Sequence, residues 1–500
     1  VIAKKIGRAV KWRETRTESM MALGHGRAQL QYVTIGGTKA GKVTHYQLHA
    51  IQDAGGFADM GTILAPFMTR PMSSGVYAIP NIECRTTSVV TNTTPIVAYR
   101  GAGRPEATAA IERAMDMFAL EIGKDAAEVR RMNLIPKFLE PHTTVVGQTY
   151  DVGDYETALD KALAAADYKA LRAEQAKRRA SGDAKQLGIG VSVYVEITGG
   201  VGNGESAKVE VLEDGRAVVY TGTSPHGQGH DTAWSMLVQE QTGIPMDRIE
   251  LVWGDTDLVP VGTGTMGSRS LQQGGNAVFQ VAGTLAEKAK SVAARLLEVS
   301  EADVVLDKDR GAFHVVGTPA VTKTWADLAV AEKSTGGLLH DEVINVSGAT
   351  FPFGAHIAVV EVDTETGRVK HLRQVACDDA GKVLNPMLLD GQIHGGIAQG
   401  VAQALLEEVL YDADGNPTTS NLADYGFISA AELPNVEVIH METPTPVNAI
   451  GAKGIGESGT IGSTPAIQSA VVDAVSHLGV KHIEMPCTAE RVWRAIQAAQ

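Results

Sequence analysis

Glycine sets the first limit on what this chain can fold into. It occurs 54 times in 500 residues, above the usual share of roughly 7%, with no collagen period and no low-complexity run. Glycine spread in that way marks loops whose backbone takes φ > 0 or passes close to something else. Four loops join glycine to polar or charged side chains: 99–106, 225–231, 263–273 and 450–459. Brought together from distant parts of the chain, they would offer backbone N–H groups and Arg, Gln and Lys donors to one extended, anionic, heteroatom-rich ligand.

Composition narrows the class of that ligand and of the partners. Lys+Arg 44 against Asp+Glu 58 gives a net charge of −14, which repels phosphate backbones and anionic lipid. No stretch reaches the roughly 18 uninterrupted apolar residues of a membrane span. The three cysteines, Cys84, Cys377 and Cys487, contain no C-x-x-C pair. That spacing excludes a disulfide framework, a Cys-type zinc site and an iron–sulphur cluster carried on this chain. It fits a reducing compartment, hence a cytoplasmic protein. The length predicts about three domains or two large ones.

Periodicity predicts strands at 43–53 and 82–91, a helix at 105–122 with Pro105 at its start, and a helix at 125–134 capped by Asp125. The basic stretch 1–20 reads as a helix end running into a strand, its cations solvated and interrupted by Glu14 and Glu18. The polar segment 137–154 reads as a linker between a unit at 1–136 and a unit at 155–500. A long charged helix is predicted at 155–180. Strands follow at 188–197, 207–212, 217–222 and 249–253, with helices at 231–242 and 276–297. A hairpin is predicted for 356–362 and 369–377 across 363–367, and helices for 396–410, 464–477 and 488–498. Strands and helices cluster rather than alternate, so the fold class is α+β with mixed sheets and packed helices.

Single glycine motifs are weak taken alone. Gly262-x-Gly264-x-x-Gly267 matches a dinucleotide fingerprint, but the acidic residue about 20 positions on, Glu287, falls inside the helix predicted at 276–297. A nicotinamide dehydrogenase on 262–267 is therefore a lesser reading. Gly202-x-Gly204-x-x-Ala207 is a weaker match of the same kind. The segment 451–458 lacks the G-K-[ST] ending of a phosphate loop. His226 and His230 have helical metal-ligand spacing, but the two glycines between them argue for a loop contacting a polar ligand instead.

Five segments occur in one order: Val97-Ala-Tyr-Arg-Gly-Ala-Gly-Arg-Pro-Glu106, His226-Gly-Gln-Gly-His230, Gly264-Thr-Met-Gly-Ser-Arg-Ser270, Gly391-Gln-Ile-His-Gly-Gly396 and Gly451-Ala-Lys-Gly-Ile-Gly-Glu457. The series resembles the molybdenum-binding large subunit of the xanthine oxidase family of hydroxylases, and within it the carbon monoxide dehydrogenase large chains and their relatives. The resemblance implies two elongated molybdopterin-binding domains and the cofactor molybdopterin cytosine dinucleotide, its molybdenum taking no ligand from the protein. It implies that Gln228, Gly229 and His230 hold the pterin–phosphate region, and that Thr265, Gly267, Ser268, Arg269 and Ser270 hold the dinucleotide. Gln392, Lys453 and Gly454 would also touch the cofactor. Glu457 falls on the family's catalytic general base and Arg100 on the arginine beside the metal. Gly101, Ala102, Tyr194 and Glu196 are candidates for the substrate pocket.

The same resemblance implies hydroxylation of an aldehyde or N-heterocycle with water as oxygen source. Electrons would pass to a two-cluster [2Fe-2S] small subunit and an FAD-binding medium subunit, in a dimer of heterotrimers. Carbon monoxide oxidisers of the family carry a cysteine after the arginine; Gly101 stands there, which disfavours carbon monoxide as substrate. The family's F-G-G-K-like segment would precede Val1, so the first domain is expected to be completed by a preceding segment or a separate chain. A cofactor-free scaffold descended from such a subunit is the non-enzymatic alternative, opposed by the complete catalytic loop.

Overall fold

The computed structural model describes residues 1–200, 204–346 and 348–499. Two short helices, Ile2–Ile6 and Arg16–Ala22, come first, so the basic start does not run directly into a strand; the first strand begins at Gln29. That strand, β1 (Gln29–Gly37), pairs antiparallel with β2 (Val43–Asp53), and β2 pairs parallel with β3 (Asn81–Val89). Packed against this sheet is α1 (Arg104–Glu121), followed by α2 (Ala126–Asn133), whose N-cap Asp125 accepts from the N–H groups of Ala127 and Glu128.

The predicted helix at 155–180 is two helices. Asp167 takes a left-handed φ of 50° and separates α3 (Tyr155–Ala166) from α4 (Tyr168–Ser181). An aspartate tolerates that region better than most residues, and the break lets both helices lie on one sheet. The segment 137–154 carries a two-residue hairpin and a fully buried Tyr150. One apolar cluster takes residues from both sides of that segment, from Val43 to Met441.

The sheet beneath it consists of β4 (Lys185–Val195) and three strands formed much later in the chain. Between them the chain builds a second sheet: β5 (Glu205–Val211), β6 (Ala217–Thr221), α5 (His230–Thr242), β7 (Ile249–Val252), α6 (Asn276–Leu297) and, after a small antiparallel sheet of β8 (Val304–Asp307), β9 (Ala312–Val315) and β10 (Thr318–Thr324), β11 (Leu338–Ile344). Its order is β7-β6-β5-β11, parallel only between β6 and β7. The chain returns through β12 (Phe353–Asp363) and β13 (Val369–Asp379), the hairpin expected across 363–367. After α7 (Pro386–Leu405), β14 (Val436–Met441) adds parallel to β13. Two helices follow: α8 (Ser458–Val475) and α9 (Ala489–Ala499). The architecture is thus α+β with mixed sheets. No helix among the described residues is long and apolar enough to cross a membrane.

Two helices begin earlier than their sequences predict. The first, α7, starts at Pro386, capped by Asn385, which accepts from Leu388 N–H; the helix runs through Gly391, Gly395 and Gly396 despite their poor propensity. Burial overrides propensity in α8 as well. Its residues from Ser458 to Val472 are buried on every side, as a helix enclosed by a sheet and a second helix must be. The approach to β4 is so close that a Cβ on Gly190 would lie 1.9 Å from the Ala466 carbonyl oxygen. Glycine there is a packing requirement that places the start of α8, and Glu457 just before it, over the end of β4.

Candidate active site

A cavity of about 630 Å³ opens where the glycine loops meet, lined by segments 98–100, 226–228, 265–271, 382–385 and 453–457 and by Gln392 and Gln399 on α7. Four distant parts of the chain therefore converge, as the loop composition predicts. Gly227, Gly267 and Gly391 line it, and a Cβ on any of them would meet no protein atom within 4 Å. Those glycines leave open space where side chains would stand. The lining carries Arg100, Arg269, Lys382 and Lys453 against a single carboxylate, Glu457. The N-terminal end of α5 also faces it through His230, adding the partial positive charge of a helix start. Trp234, on the same helix, keeps its buried indole Nε1 without a partner among the described residues.

Glu457 precedes α8 and is held from three directions. Gly101 N–H donates to Oε1 at 2.8 Å; Arg104 Nη2 donates to Oε2 at 2.7 Å; Ser268 Oγ donates to Oε2 at 3.0 Å. Burial by itself would raise the carboxyl's proton affinity. Arg104, then the Gly101 N–H and the Ser268 hydroxyl, reverse that and hold it below the usual carboxylate range. Gly101 can present its N–H this way because its φ of 99° is open to glycine. Arg104 is the residue that sequence reasoning missed. It is 3% exposed, at the first position of α1, and its Nη2 also lies 3.5 Å from Glu196 Oε1. A cation at the positive end of a helix is unfavourable unless an anion sits beside it, and that was the available signal.

Arg100 does a different job. Its Nε donates to Gly456 O at 2.5 Å, Nη1 to Gln399 Oε1 at 3.0 Å, and Nη2 to Gln392 O at 3.1 Å and Gln392 Oε1 at 3.2 Å. It ties its own loop to α7 and to the loop before α8. Burial lowers its proton affinity below that of an ordinary arginine, partly offset by Glu457 and Glu196. Arg27 supports it, donating Nη2 to the Arg100 carbonyl at 2.6 Å and lying over the Tyr99 ring.

The other sequence-predicted residues fall around this centre. Gln228 Oε1 accepts from His226 N–H, and Gly229, φ 81°, caps α5. His230 stacks on Trp234 with centroids 4.7 Å apart, and its Nδ1 lies 3.1 Å from Thr223 O; burial lowers its proton affinity. Thr265 Oγ1 donates to Ser224 O at 2.7 Å and accepts from Ser270 Oγ at 3.2 Å. Arg269 turns its guanidinium into a buried ion pair with Glu205 and donates to Gly264 O at 2.8 Å. Lys453 Nζ pairs with Asp379 Oδ1 at 3.0 Å, both fully buried. Gly454 lies against the 263–273 loop: a Cβ there would stand 1.9 Å from Ser268 O. Gly101, Ala102, Tyr194 and Glu196 are not among the cavity-lining residues. Tyr194 is buried and donates to Asp378 Oδ1 at 2.7 Å.

The nicotinamide reading of 262–267 does not hold. After α6 the chain enters β8, which pairs antiparallel with β9 in a separate sheet, so no second parallel strand carries an acidic end. Glu287 projects into solvent from α6, its side chain 69% exposed. The partial match at 202–207 begins at Gly202, outside the described residues. Among the described residues no group of three or more His, Cys, Asp or Glu side chains is placed to hold a metal ion.

Two models of the molybdopterin cofactor-binding domain match the chain, one over residues 1–134 and the other over residues 161–434. The carbon monoxide dehydrogenase large chain of Hydrogenophaga pseudoflava is 39% identical over 98% of this chain and 64% of its own length. The nicotine 6-hydroxylase large subunit of Paenarthrobacter nicotinovorans is 33% identical over 99% of this chain and 62% of its own. Among solved structures, quinoline 2-oxidoreductase from Pseudomonas putida 86 superposes with a TM-score of 0.92 at 32% identity, over 99% of this chain and 65% of that one. The chain thus spans less than two thirds of the length of these relatives.

Proposed function

We propose, from the premise that this chain belongs to the molybdopterin cofactor-binding family as a molybdenum-binding large subunit of xanthine oxidase type, that it oxidises the C–H of an aldehyde or N-heterocycle with water as oxygen source. The cofactor is molybdopterin cytosine dinucleotide, and the electrons leave to a [2Fe-2S] subunit and an FAD subunit in the cytoplasm. The division into 1–136, 137–154 and 155–500 belongs to the same reading. What supports the cofactor assignment is the fit of the cavity: glycines that leave room, two lining cations, Arg100 and Lys382, that make no ion pair among the described residues, a helix start and an unpartnered buried indole donor. Gln228, Gly229 and His230 would hold the pterin–phosphate region, with Thr265, 267–270, Gln392, Lys453 and Gly454 along the rest. When bound, the group supplies a redox-active metal that accepts the two electrons.

The protein's part is proton handling and orientation. Glu457 lines the cavity and its Oε1 has one donor, Gly101 N–H, which leaves that oxygen acceptor capacity for the proton released in the reaction. Arg104 keeps the carboxylate ionised so that it is ready to take that proton. Arg100, by binding Gly456 O and Gln392 together, fixes the loop from which Glu457 projects. Gly101 after Arg100 leaves no thiol at the position that would mark carbon monoxide oxidation, so an organic substrate is favoured.

The observation that carries this reading is an ionised carboxylate clamped at the wall of a glycine-walled cavity. It is tested on the intact assembly purified from molybdate-fed cells. Molybdenum near one per chain, and turnover of members of an aldehyde and heterocycle panel with an artificial electron acceptor, are expected. Glu457→Gln should keep the metal and lose turnover. An assembly without molybdenum, or an active glutamine variant, overturns the proposal.

A further inference from the structure

Behind Glu457 lies a second carboxylate that the reaction as described does not use. Glu196 follows β4 and is fully buried. Its Oε2 accepts from Ser458 Oγ at 2.5 Å, its Oε1 lies 3.2 Å from Ser268 Oγ, and its backbone N–H is fixed to Pro352 O at 2.8 Å. Ser268 Oγ therefore lies within hydrogen-bond distance of both carboxyls, 3.0 Å from Glu457 Oε2 and 3.2 Å from Glu196 Oε1. A hydroxyl has one proton to donate. Short of splitting that proton in a weaker three-centre bond, both contacts are full hydrogen bonds when one carboxyl is protonated and donates to the serine oxygen. Charge leads to the same result. Arg104 is in contact with both acids, whereas Arg100, which their charges also reach, spends its guanidinium on Gly456 O, Gln399 and Gln392, so one proton shared by the two carboxyls relieves their mutual repulsion beside Arg104.

We propose that Glu196 is a proton-holding positioning residue for Glu457: in the resting site the two acids share one proton through Ser268 Oγ, with Glu196 carrying it and Glu457 free as the base. The assignment of the proton to Glu196 follows from the surroundings. Glu457 has Arg104 at 2.7 Å and the Gly101 N–H, whereas Glu196 has Arg104 only at 3.5 Å. Burial first, and then the charge of Glu457, push Glu196 up to about 8 against the pull of Arg104. Arg100 and Tyr194 are the other titratable groups that feel it. Tyr194 is fixed by its bond to Asp378, which His356 Nε2 also approaches at 3.1 Å, so the end of β4 cannot swing to separate the acids.

The relay balances without any further reactant. The Glu196 Oε1–H bond breaks as a proton moves to Ser268 Oγ, and the serine's own proton moves to Glu457 Oε2; the reverse shift restores the base. When Glu196 ionises, the serine can satisfy only one acid and Arg104 is drawn between two charges, so Glu457 loses its fixed position. This inference rests on Glu457 being the base, and its test separates the two.

The full assembly is titrated by infrared difference spectroscopy, following the C=O stretch of a protonated carboxylic acid, and kcat and KM are measured from pH 6 to 9. The native protein should lose that band through about pH 8, with kcat about tenfold lower at pH 9 than at pH 7, since roughly one part in ten stays protonated one unit above the midpoint. Glu196→Gln should abolish the band and the alkaline limb while leaving KM unmoved. Glu457→Gln should keep the band but move it to lower pH, because the charge that helps hold it up is gone. If Glu196→Gln does not fold, Ser458→Ala decides: loss of the donor at Oε2 should move band and limb to higher pH. A band that titrates near the ordinary carboxyl range, or survives Glu196→Gln, overturns the proposal. Absence of molybdenum would overturn the proposed function and leave the infrared result standing.

Discussion

Replacing Arg104 by Met removes the cation that keeps Glu457 ionised and leaves the shape of the site nearly filled. Arg104 Nη2 is 2.7 Å from Glu457 Oε2, and its side chain is 4% exposed against 15% for Glu457. Two unit charges about 4 Å apart interact by about 4 kcal/mol at an effective dielectric of about 20, equivalent to about three pH units of proton affinity. The carboxylate's depressed affinity is a competition in which burial pushes up and Arg104 is the largest opposing influence, so without the arginine burial wins. The sign follows: an acid whose affinity rises is protonated at higher pH, and a protonated Glu457 cannot act as base. The acid limb of the kcat–pH profile should therefore move up by two to three units, with kcat falling about tenfold per unit below it. The assay is kcat from pH 5 to 9 on the molybdenum-loaded assembly with an artificial acceptor, with metal content measured in parallel. Arg104→Lys should restore part of the shift, since the charge returns without the planar fork. An acid limb that stays in place at full metal content would refute the electrostatic role of Arg104.

Other substitutions probe the frame around that pair. Gly454→Ala pushes a methyl into the Ser268 carbonyl, 1.9 Å from where Cβ would sit; it should cost about 1–3 kcal/mol by overpacking and lower kcat at least tenfold. Gly456→Ala, whose Cβ would meet nothing nearer than Ser268 Oγ at 3.3 Å, should be much milder, and equal effects would contradict the close-approach argument. Lys453→Met strands the buried Asp379 and should lower denaturation stability by about 3–5 kcal/mol, most of it recovered when Asp379→Leu is added. Glu196 gives a pH signature in stability. Its affinity is raised in the folded state to about 8 from 4.5, so its contribution is complete on the acid side and is lost as pH climbs toward 8. Glu196→Gln should therefore gain stability relative to the native protein as pH rises from 5 to 9, by about 4 kcal/mol at most. A difference that does not change with pH would contradict the protonated state.

Periodic helices were readable from sequence because their signal is local. The helix predicted at 276–297 is α6 (Asn276–Leu297), and the one at 105–122 is α1 (Arg104–Glu121). Boundaries set by distant neighbours were not readable. The start of α8 is Ser-Gly-Thr-Ile-Gly-Ser, a poor helix former alone, and it becomes helical because β4 and α7 enclose it. The break at Asp167 depends on the sheet that α3 and α4 share. In the site, the convergence of the loops follows from composition, but the division of labour between Arg100 and Arg104 does not. Both arginines belong to one glycine-rich sequence motif, Arg100 in its loop and Arg104 at the first position of α1, and only the fold decides that one binds backbone carbonyls and the other binds Glu457 and Glu196. Ser268 is a similar case: its motif points to the dinucleotide, and its hydroxyl faces two acids.

The low proton affinity of Glu457 restricts what the cavity can do. A carboxylate held below the ordinary value of 4.5 is a weak base, and water, near 15.7 when unassisted, lies more than about 11 units beyond it. That gap is about 15 kcal/mol, too large for one positioned carboxylate to close. A site designed to deprotonate water or an alcohol unaided would raise its base by burial, as this chain does with Glu196 and not with Glu457. Arg104 acts in the opposite direction on the one acid that faces the cavity. Such a base is useful only toward a group already acidified by a strong electrophile, so the cavity needs an electron-poor occupant before Glu457 has work to do. The helix start at His230, with Arg100 and Lys382 on the walls, favours an anionic carrier for that occupant, and the same Arg104 that weakens Glu457 leaves Glu196 with the proton.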